Sequence, residues 1–535
     1  MKLKILNILP LFIIVLLGTT FRVVLLSLSP PALNIDEAAL GYNAYSILKT
    51  GADEHGRFLP LLLESFGDWK LPIYSYIAII PISIMGLSEM ATRMPSIAAG
   101  IAGIIIIYYI AQVLFSKKTI SLFAALFFAL SPWNIYFSRA AYEVNLATTI
   151  FLMALLLLLL SLQSKKKSLV LFVSSVLFGL TLFTYHSYII FTPLFVGAMT
   201  VYYFKALKKK IVYFILPLLF FICISYFSNL SGGIGKAATT TIFNNKNIIY
   251  NRVENFRRDT VESPILFDKI HTKYAGIPYQ ILQNYLSSFS PAFLFDRGGE
   301  KLIHNLDGFG NIYVFDALLL LVGLLSMFYY REKRIPFIII WLVLAPIPSS
   351  ITLDSPNSTR LFILMPLFTL ICAYGAYTLI KVLRGNTVGK IALIALVFLF
   401  FVNVMFFINI YFVHFKYHRE NFWRYGYKEM VEVSNKYPDK KIVMQGLYDF
   451  PYIYYLFYNK YDPAKFQKES TYYPVSGDGF RFVKSFGRYR FVEALRDENE
   501  TKDTLYFDNQ NFHKEDSMIL LPGGDPVFKY YVGKN

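Results

Sequence analysis

Two adjacent carboxylates, Asp36 and Glu37, follow the first apolar segment of the chain in the stretch NIDEAALGYNA. A positioned carboxylate can take a proton from an acceptor group, which is general-base catalysis. The same spacing also fits a helix that Asp36 caps and Gly51 ends, because acidic side chains are favourable in the first helical turn. The two interpretations are compatible, since a helix start can fix a carboxylate in place.

Two arginines lie in short polar stretches between apolar segments. They are Arg139 in YFSRAAYEVN and Arg360 in NSTRLFILMP. A guanidinium matches the geometry of a phosphate, so each arginine is a candidate anion clamp. Each also fits an interfacial arginine that extends toward lipid head groups. The sequence leaves both interpretations open.

Three further groups carry ionisable side chains. Glu143 follows Arg139 by four residues, which fits a simple helical ion pair. His186 in TYHSY fits a hydrogen-bonded histidine at the end of a span. His304 in LIHNLDGFG fits an ordinary loop residue. The run Asp53–Glu54–His55 invites a metal interpretation, but three consecutive side chains rarely converge on one ion, so no metal site is predicted.

The composition is that of an integral membrane protein. The 535 residues are 55% hydrophobic and 16% charged, with a mean hydropathy of +0.46. Soluble domains carry about 25% charged residues. The net charge of +17 lies largely in short basic clusters between apolar segments, where it sets topology and does not indicate a nucleic-acid partner. The two cysteines, Cys223 and Cys372, lie in apolar segments and form no readable disulfide framework or zinc site.

Basic loops mark the cytoplasmic side of a membrane, so an even number of crossings must separate consecutive basic clusters. This rule predicts about eleven transmembrane helices, with the N-terminus inside and the C-terminus outside. The apolar stretch 71–86 is then an interfacial or re-entrant helix, since sixteen residues reach only about 24 Å. The predicted spans are 5–28, 93–115, 119–135, 145–163, 168–185, 187–204, 211–228, 311–330, 335–351, 361–380 and 391–412.

The predicted fold is a mostly α polytopic bundle with a small α/β domain. Residues 1–412 form the transmembrane domain, with outer loops at 29–92 and 229–310, and residues 413–535 form an extracytoplasmic α/β domain. Alternating helical and strand patterns in this last segment support that assignment. The expected location is a prokaryotic plasma membrane, as a multi-pass protein.

Ionisable residues within the spans gather toward their outer ends. They are Arg22, Glu143, His186 and Asp316. An ion-coupled transporter usually keeps acids or cations near the bilayer midplane. A polytopic lipid or sugar transporter is therefore the weaker alternative, and a site at the outer membrane face is predicted.

The ordered motifs resemble a known family. The set comprises NIDEAALGYNA, LPIYSY, ATRMPSIAAG, YFSRAAYEVN, NYLSSFSPAFLFDRGG with HNLDGFG, and NSTRLFILMP. It is similar to the GT-C class of polytopic glycosyltransferases, specifically the protein O-mannosyltransferase and aminoarabinose-transferase-like group of glycosyltransferase family 39 and its relatives. The resemblance covers about residues 1–412 and implies the GT-C type of membrane bundle.

The resemblance implies transfer of one sugar from a polyprenyl-phosphate donor to a protein, lipid or glycan acceptor, with membrane lipids as further partners. Asp36 would be the general base and Glu37 an orienting or acceptor-binding partner. No general acid is needed, because the phosphate leaves as a stable anion. The scheme requires no cofactor and leaves a divalent metal open. An oligosaccharide ligase or polymerase is the alternative within enzymes. The implied donor-phosphate residues are Arg139, Arg360 and His186, and the implied substrate-binding residues are Tyr42, Glu143 and His304.

Overall fold

The computed structural model is mostly helical and ends in a region that contains a β-sheet. It describes residues 2–163, 167–229, 240–243, 253–255, 258, 272–477, 479–498, 500–510, 512–513 and 517–534. Most of the predicted outer loop 229–310 before residue 272 lies outside the described residues. The chain divides into two compact units, which are described separately.

The first unit, here the helical unit, consists of Met1–Arg22, Ala99–Tyr136 and Glu143–Ile408. Three of its helices begin or end in the other unit. The helices that lie wholly or mainly in it are Lys2–Val23, Glu89–Phe115, Lys118–Leu130, Pro132–Ser138, Glu143–Ser161, Lys167–Thr181, Ser187–Tyr202, Phe204–Leu207, Ile211–Ser228, Lys273–Ser287, Ala292–Asp296 (π), Leu302–His304 (3-10), Val314–Tyr329, Ile335–Leu344, Ile347–Ser350, Leu364–Leu383 and Thr387–Ile408.

Each of the eleven predicted spans coincides with a helix or a bent helix pair, but the crossing count stays a prediction. Among the described residues, five helices are long and apolar enough to cross a membrane, or six if the pair Lys118–Leu130 and Pro132–Ser138, bent by 55°, is one span. The helix in the stretch predicted not to cross, Ile73–Met85, has 13 residues. Along Thr387–Ile408, side chains such as Ile394 and Val397 are exposed, as expected of a surface that contacts lipid.

Glycine allows one close helix crossing in the helical unit. A Cβ added at Gly323 would lie 2.3 Å from the carbonyl oxygen of Ile371, and one at Gly375 would lie 2.3 Å from that of Leu319. Small residues let the backbones of membrane helices approach closely. The helices Val314–Tyr329 and Leu364–Leu383 are therefore held in a contact that larger side chains would prevent.

The second unit, here the mixed unit, consists of Val23–Ala98, Phe137–Tyr142 and Asn409–Asn535. It joins the first predicted outer loop to the C-terminal segment. Its helices are Ile35–Thr50, Ile73–Met85, Asn409–His414 (π), Phe415–His418, Tyr427–Asn435, Leu447–Asp449 (3-10), Tyr452–Tyr458, Pro463–Glu469 and Leu495–Asp497 (3-10).

Among the described residues of the mixed unit, nine strands form two sheets. They are β1 (Leu63–Ser65), β2 (Asp68–Lys70), β3 (Lys441–Gln445), β4 (Thr471–Tyr472), β5 (Val483–Phe486), β6 (Tyr489–Val492), β7 (Thr504–Asp508), β8 (Ser517–Leu520) and β9 (Pro526–Val532). The first two strands pair as an antiparallel hairpin. The other seven form one sheet in the order β4-β5-β6-β3-β7-β9-β8, in which β3 runs parallel to both β6 and β7.

A large apolar core lies within the mixed unit. It combines Ala38 and Tyr42 of the helix Ile35–Thr50 with Tyr455 and Phe457 of the helix Tyr452–Tyr458, and extends to Phe507 of β7. Burial of these apolar side chains stabilises the unit, since each large side chain contributes about 1.5–3 kcal/mol. The first predicted outer loop is therefore packed against the C-terminal sheet region, which fixes the helix that carries Asp36.

Candidate active site

The helix that carries the paired carboxylates is capped at both ends. Asn34 is the N-cap: its side chain accepts a hydrogen bond from the Glu37 N–H at 3.0 Å, and its own N–H donates to Glu37 Oε2 at 3.2 Å. The interpretation of Asp36 as the cap is wrong, because Asp36 lies in the first turn, after the cap. The predicted end at Gly51 is confirmed, with a φ of 72° that glycine adopts without strain.

Asp36 presents an accessible carboxylate beside a lysine. Lys70, the last residue of β2, donates from Nζ to Asp36 Oδ1 at 2.5 Å. The side chain of Asp36 is 62% exposed, whereas that of Lys70 is 5% exposed. The ammonium also lies 5.0 Å from the centroid of the Phe66 ring. A carboxylate that remains open to solvent therefore lies next to a cation held in place by its surroundings.

Glu37, one residue further on, is buried and saturated with hydrogen bonds. Arg93 donates to it at two points, Nε to Oε1 at 2.9 Å and Nη2 to Oε2 at 3.0 Å. The Ala141 N–H donates to the same Oε1 at 2.7 Å, which adds to the bond from Asn34. With four donors and 1% exposure, this carboxylate links three segments of the mixed unit.

Arg139 is buried in the same unit, against backbone carbonyls. Its Nε and Nη2 donate to the carbonyl oxygen of Ser29 at 3.0 and 2.7 Å, and Nη1 donates to that of Val24 at 2.7 Å. The guanidinium also lies 4.8 Å from the ring centroid of Phe412. All three guanidinium nitrogens thus donate to the protein, and a phosphate would compete with these hydrogen bonds. Its predicted role stays a prediction, and the contacts give it a role in holding the segment 24–29.

Tyr42 lies on the same helix as Asp36 but faces the core. It is fully buried, packs edge-on to Phe466 and donates its hydroxyl to the Tyr461 carbonyl oxygen at 3.1 Å. These contacts attach the helix Ile35–Thr50 to the C-terminal segment. The predicted substrate contact of Tyr42 stays a prediction, and the structure gives it a packing role.

The other four predicted site residues lie in the helical unit. Arg360 forms an ion pair with Asp354 and donates from Nη1 to Thr352 Oγ1 at 3.1 Å. Burial acts to raise the pKa of Asp354, but Arg360 and Lys301 together hold it below its usual range. Asp354, Arg360 and Lys301 thus form a small charged cluster in which the guanidinium of Arg360 is half-buried.

Glu143 lies near the ion pair of Arg360 and Asp354, and His186 and His304 lie at the ends of helical segments. Arg360, Glu143 and Asp354 are close enough to the hydroxyl of Tyr185 to act on it electrostatically. Glu143 begins the helix Glu143–Ser161, His186 directly precedes Ser187–Tyr202, and His304 ends the turn Leu302–His304. The structure thus brings Asp36, Glu37 and Arg139 into one unit and Glu143 and Arg360 into the other.

A buried ionisable cluster combines a residue of β1 with the turn that follows the helix Ile35–Thr50. Asp53, Glu54 and Glu64 are all buried, and His55 Nε2 lies 3.5 Å from Glu54 Oε1. Burial, reinforced by Asp53, raises the pKa of Glu54 to about 8, while burial lowers the pKa of His55 to about 4. Both shifts favour neutral side chains. In the part of the chain that the structure describes, no three His, Cys, Asp or Glu side chains gather as a metal site.

The sequence analysis did not identify Arg93, which contacts Glu37, or Lys70, which contacts Asp36. Arg93 lies inside an apolar helix, and an ionisable residue in such a segment is by default a functional candidate, so a signal was present. Lys70 is an isolated basic residue directly before the apolar stretch 71–86, which is a weaker signal. Its contact with Asp36 depends on the β1–β2 hairpin, whose turn has positive φ at Phe66 and Gly67.

Comparison with known proteins agrees with the class that the motifs indicate. Residues 70–228 match the family model for dolichyl-phosphate-mannose-protein mannosyltransferase, which is less than half of the chain. No curated protein sequence matches the chain. Together with the structural likeness to an archaeal oligosaccharyltransferase, this match confirms the resemblance to GT-C glycosyltransferases.

Two structures of an archaeal oligosaccharyltransferase share the fold. AglB from Archaeoglobus fulgidus, in complex with an inhibitory peptide and a dolichol-phosphate, is 12% identical, with a TM-score of 0.52 over 85% of this chain and 64% of that one. The same organism's enzyme with zinc and sulfate gives 12% identity and 0.51, over 84% and 61%. The chain thus spans slightly less than two thirds of these relatives. ArnT from Cupriavidus metallidurans, bound to undecaprenyl phosphate, is 11% identical, with a TM-score of 0.48 over 99% and 98%.

The likeness to AglB shows that the chain has the fold of this class of membrane glycosyltransferases. Its apolar helices agree with an integral membrane protein, as the composition predicted. The sugar, the donor, the acceptor and the orientation of the chain go beyond this likeness.

Proposed function

We propose that this protein is a membrane glycosyltransferase that transfers a single sugar from a polyprenyl-phosphate donor to an acceptor at the extracytoplasmic face, with Asp36 as general base. The observation that carries the proposal is the contrast between two adjacent carboxylates. Asp36 is open to solvent, whereas Glu37 is buried and fully hydrogen-bonded. Only Asp36 can therefore reach an acceptor without rearrangement of the helix.

The proposed reaction requires one proton transfer and one displacement. Asp36 takes the proton of the acceptor hydroxyl or phosphate, and the acceptor oxygen forms a bond to the anomeric carbon of the sugar. The bond between that carbon and the phosphate oxygen breaks, and its electron pair stays on the polyprenyl phosphate. A phosphate is a stable anion, so this step needs no proton from a general acid.

Lys70 supports both parts of this reaction. Its ammonium compensates the charge of Asp36 before the donor arrives and is the cation in contact with the proposed base. A dianionic leaving phosphate gains more from a nearby ammonium than the monoanionic diester does, which is the differential stabilisation that catalysis requires. Lys70 is therefore proposed to stabilise the leaving phosphate beside Asp36.

Glu37 is proposed as a positioning residue. Its carboxylate connects the first turn of the helix Ile35–Thr50 to Arg93 and to the backbone at Ala141. These contacts fix the helix start from which Asp36 projects. The assignments of Arg360, His186, Glu143 and His304 to donor or substrate remain part of the proposal, along with eleven crossings and an outer C-terminus.

The type of donor distinguishes the proposed transferase of a single sugar from the alternative, an oligosaccharide ligase or polymerase. AglB, whose fold the chain shares, is an oligosaccharyltransferase with a dolichol-phosphate bound in one structure, and it supports a polyprenyl-linked donor. Purified protein in liposomes is given polyprenyl-phosphate monosaccharides or a polyprenyl-diphosphate oligosaccharide, and released polyprenyl carrier is measured by mass spectrometry. We expect release from a monophosphate donor and its loss in Asp36→Asn. Release from the oligosaccharide donor alone would contradict the proposal.

A further inference from the structure

A cavity that Asp36 does not line lies within the mixed unit. Its volume is about 620 Å³, within the range of small-molecule sites. Its apolar lining includes Leu26, Leu87 and Met90. Lys428 and Lys460, which come from the C-terminal segment, also line it. The cavity therefore combines an apolar surface with two ammonium groups.

The chain places this cavity at the end of two apolar segments. Residues 23–27 directly follow the helix Lys2–Val23, and residues 87–93 contain the start of Glu89–Phe115, a helix long enough to cross a membrane. Leu25, which also lines the cavity, is 48% exposed. The end of an apolar segment is the level at which lipid head groups meet acyl chains. An amphiphile could thus enter with its polar end toward the lysines.

The charges of the cavity favour an anion. Glu89 is compensated from two sides, since Tyr458 donates its hydroxyl to Oε1 at 2.9 Å and Lys428 Nζ lies 3.5 Å from the same oxygen. Arg93 also lines the cavity, but its charge is balanced by Glu37. Lys460 has no carboxylate partner among the described residues. The surplus charge of the cavity is therefore positive.

Lys460 adopts a backbone conformation that normally calls for glycine. It follows the helix Tyr452–Tyr458 with a φ of 48°, and the Tyr461 N–H donates back to the Leu456 carbonyl oxygen at 3.0 Å. This is the left-handed position that ends many helices, where a side chain is unfavourable and glycine is preferred. A lysine there carries a conformational cost that glycine would avoid, which is consistent with a role for its side chain.

We propose that this cavity binds the phosphate head group of an anionic phospholipid, with the acyl chains along the apolar lining residues. The proposal does not depend on the transfer reaction. Lys460 and Lys428 would contact the phosphate, and Leu26, Leu87 and Met90 would contact the upper part of the chains. The occupant would be a lipid of the membrane in which the protein lies.

The test uses a substitution that keeps the fold. Lys460→Gly removes the ammonium and relieves the left-handed strain, so its unfolding midpoint should equal or exceed that of the wild type. Lys436→Gly is the matched control, because Lys436 is an exposed lysine at the end of another helix of the same unit and does not line the cavity. Full-length proteins in detergent are titrated with phosphatidylglycerol and phosphatidylcholine of equal chain length, and binding is followed by native mass spectrometry.

The wild type and Lys436→Gly should prefer phosphatidylglycerol by at least about fivefold, the factor expected for one lysine near an anionic lipid. Lys460→Gly should lose most of that preference, and Lys428→Ala should weaken it as well. An unchanged preference in both cavity variants would overturn the proposal. Competition by inorganic phosphate as strong as that by phosphatidylglycerol would assign the site to a free anion and overturn the lipid assignment.

Discussion

Glu37 and Arg93 form a two-point ion pair that is buried on both sides, with Nε–Oε1 at 2.9 Å and Nη2–Oε2 at 3.0 Å. It joins the first turn of the helix Ile35–Thr50 to the start of the long helix Glu89–Phe115. Removal of one partner leaves the other charge buried without compensation, which is more costly than the net contribution of the pair.

Glu37→Gln should therefore destabilise the protein by about 3–5 kcal/mol. The measurement is the free energy or midpoint of unfolding in detergent. The control is Glu498→Gln, which removes the partner of Arg490 at 2.7 Å in a pair that is half-exposed on the arginine side. That variant should lose less than about 1 kcal/mol. Equal stability of the Glu37→Gln variant and the wild type would contradict the positioning role.

Arg139→Ala tests the role of the buried guanidinium. Its hydrogen bonds to the carbonyl oxygens of Ser29 and Val24 predict a stability loss of at least about 2 kcal/mol, because charged donors contribute about 1.5–3 kcal/mol each. Arg139→Lys should recover little of it, since an ammonium lacks the planar fork. The KM for the donor should change little in the folded fraction. A raised KM with unchanged stability would instead support the phosphate clamp.

The buried carboxyl of Glu54 predicts a pH dependence of stability. Its pKa of about 8 in the folded state lies above its ordinary value of 4.5, so between these values the folded protein holds a proton that the unfolded chain lacks. The contribution is complete below about pH 4.5 and is lost as pH rises through 8. His55, with a lowered pKa, acts in the opposite direction and only below about pH 6.5.

The unfolding midpoint should accordingly fall between pH 6.5 and 8.5, and Glu54→Gln should flatten this fall. Glutamine resembles the protonated carboxyl in shape and has no charge to desolvate. Glu469→Gln is the control, because that residue lies at the end of a helix and is less buried. A Glu54→Gln variant with the same pH profile as the wild type would show that Glu54 is not held neutral in the folded state.

The proposed orientation is tested by cysteine labelling in intact cells. In a background without Cys223 and Cys372, a cysteine at Lys502 should react with an impermeant maleimide, and one at Lys117 should react only after the cells are opened. Both positions are exposed in the structure. Labelling of position 117 from outside would overturn the count of eleven crossings.

Local sequence patterns predicted the elements well. The C-terminal segment, predicted to alternate between helices and strands, contains the helix Tyr452–Tyr458 between β3 and β7 in the chain. Such elements are set by side-chain periodicity and turn residues close in sequence. The helix cap was placed two residues too late because Asn34, an equally good cap, precedes Asp36.

Contacts between distant segments could not be predicted. The packing of Tyr42 on Phe466 and the ion pair of Glu37 with Arg93 join residues far apart in sequence, and no local pattern encodes their pairing. The same holds for Lys70 and Asp36, which meet through a hairpin. The predicted division at residue 412 remains a prediction, while the structure groups 23–98 with 409–535 in one compact unit.

Asp36→Asn tests whether Asp36 is the general base, because asparagine nearly preserves the shape of the side chain and tolerates the first helical turn. Lys70 can still hydrogen-bond the amide oxygen, and Asn34 still caps the helix. The variant should fold with an unfolding midpoint close to that of the wild type and bind the donor unchanged, and its turnover should be lower by at least about two orders of magnitude. Near-normal turnover in this variant would contradict the assignment of Asp36 as general base.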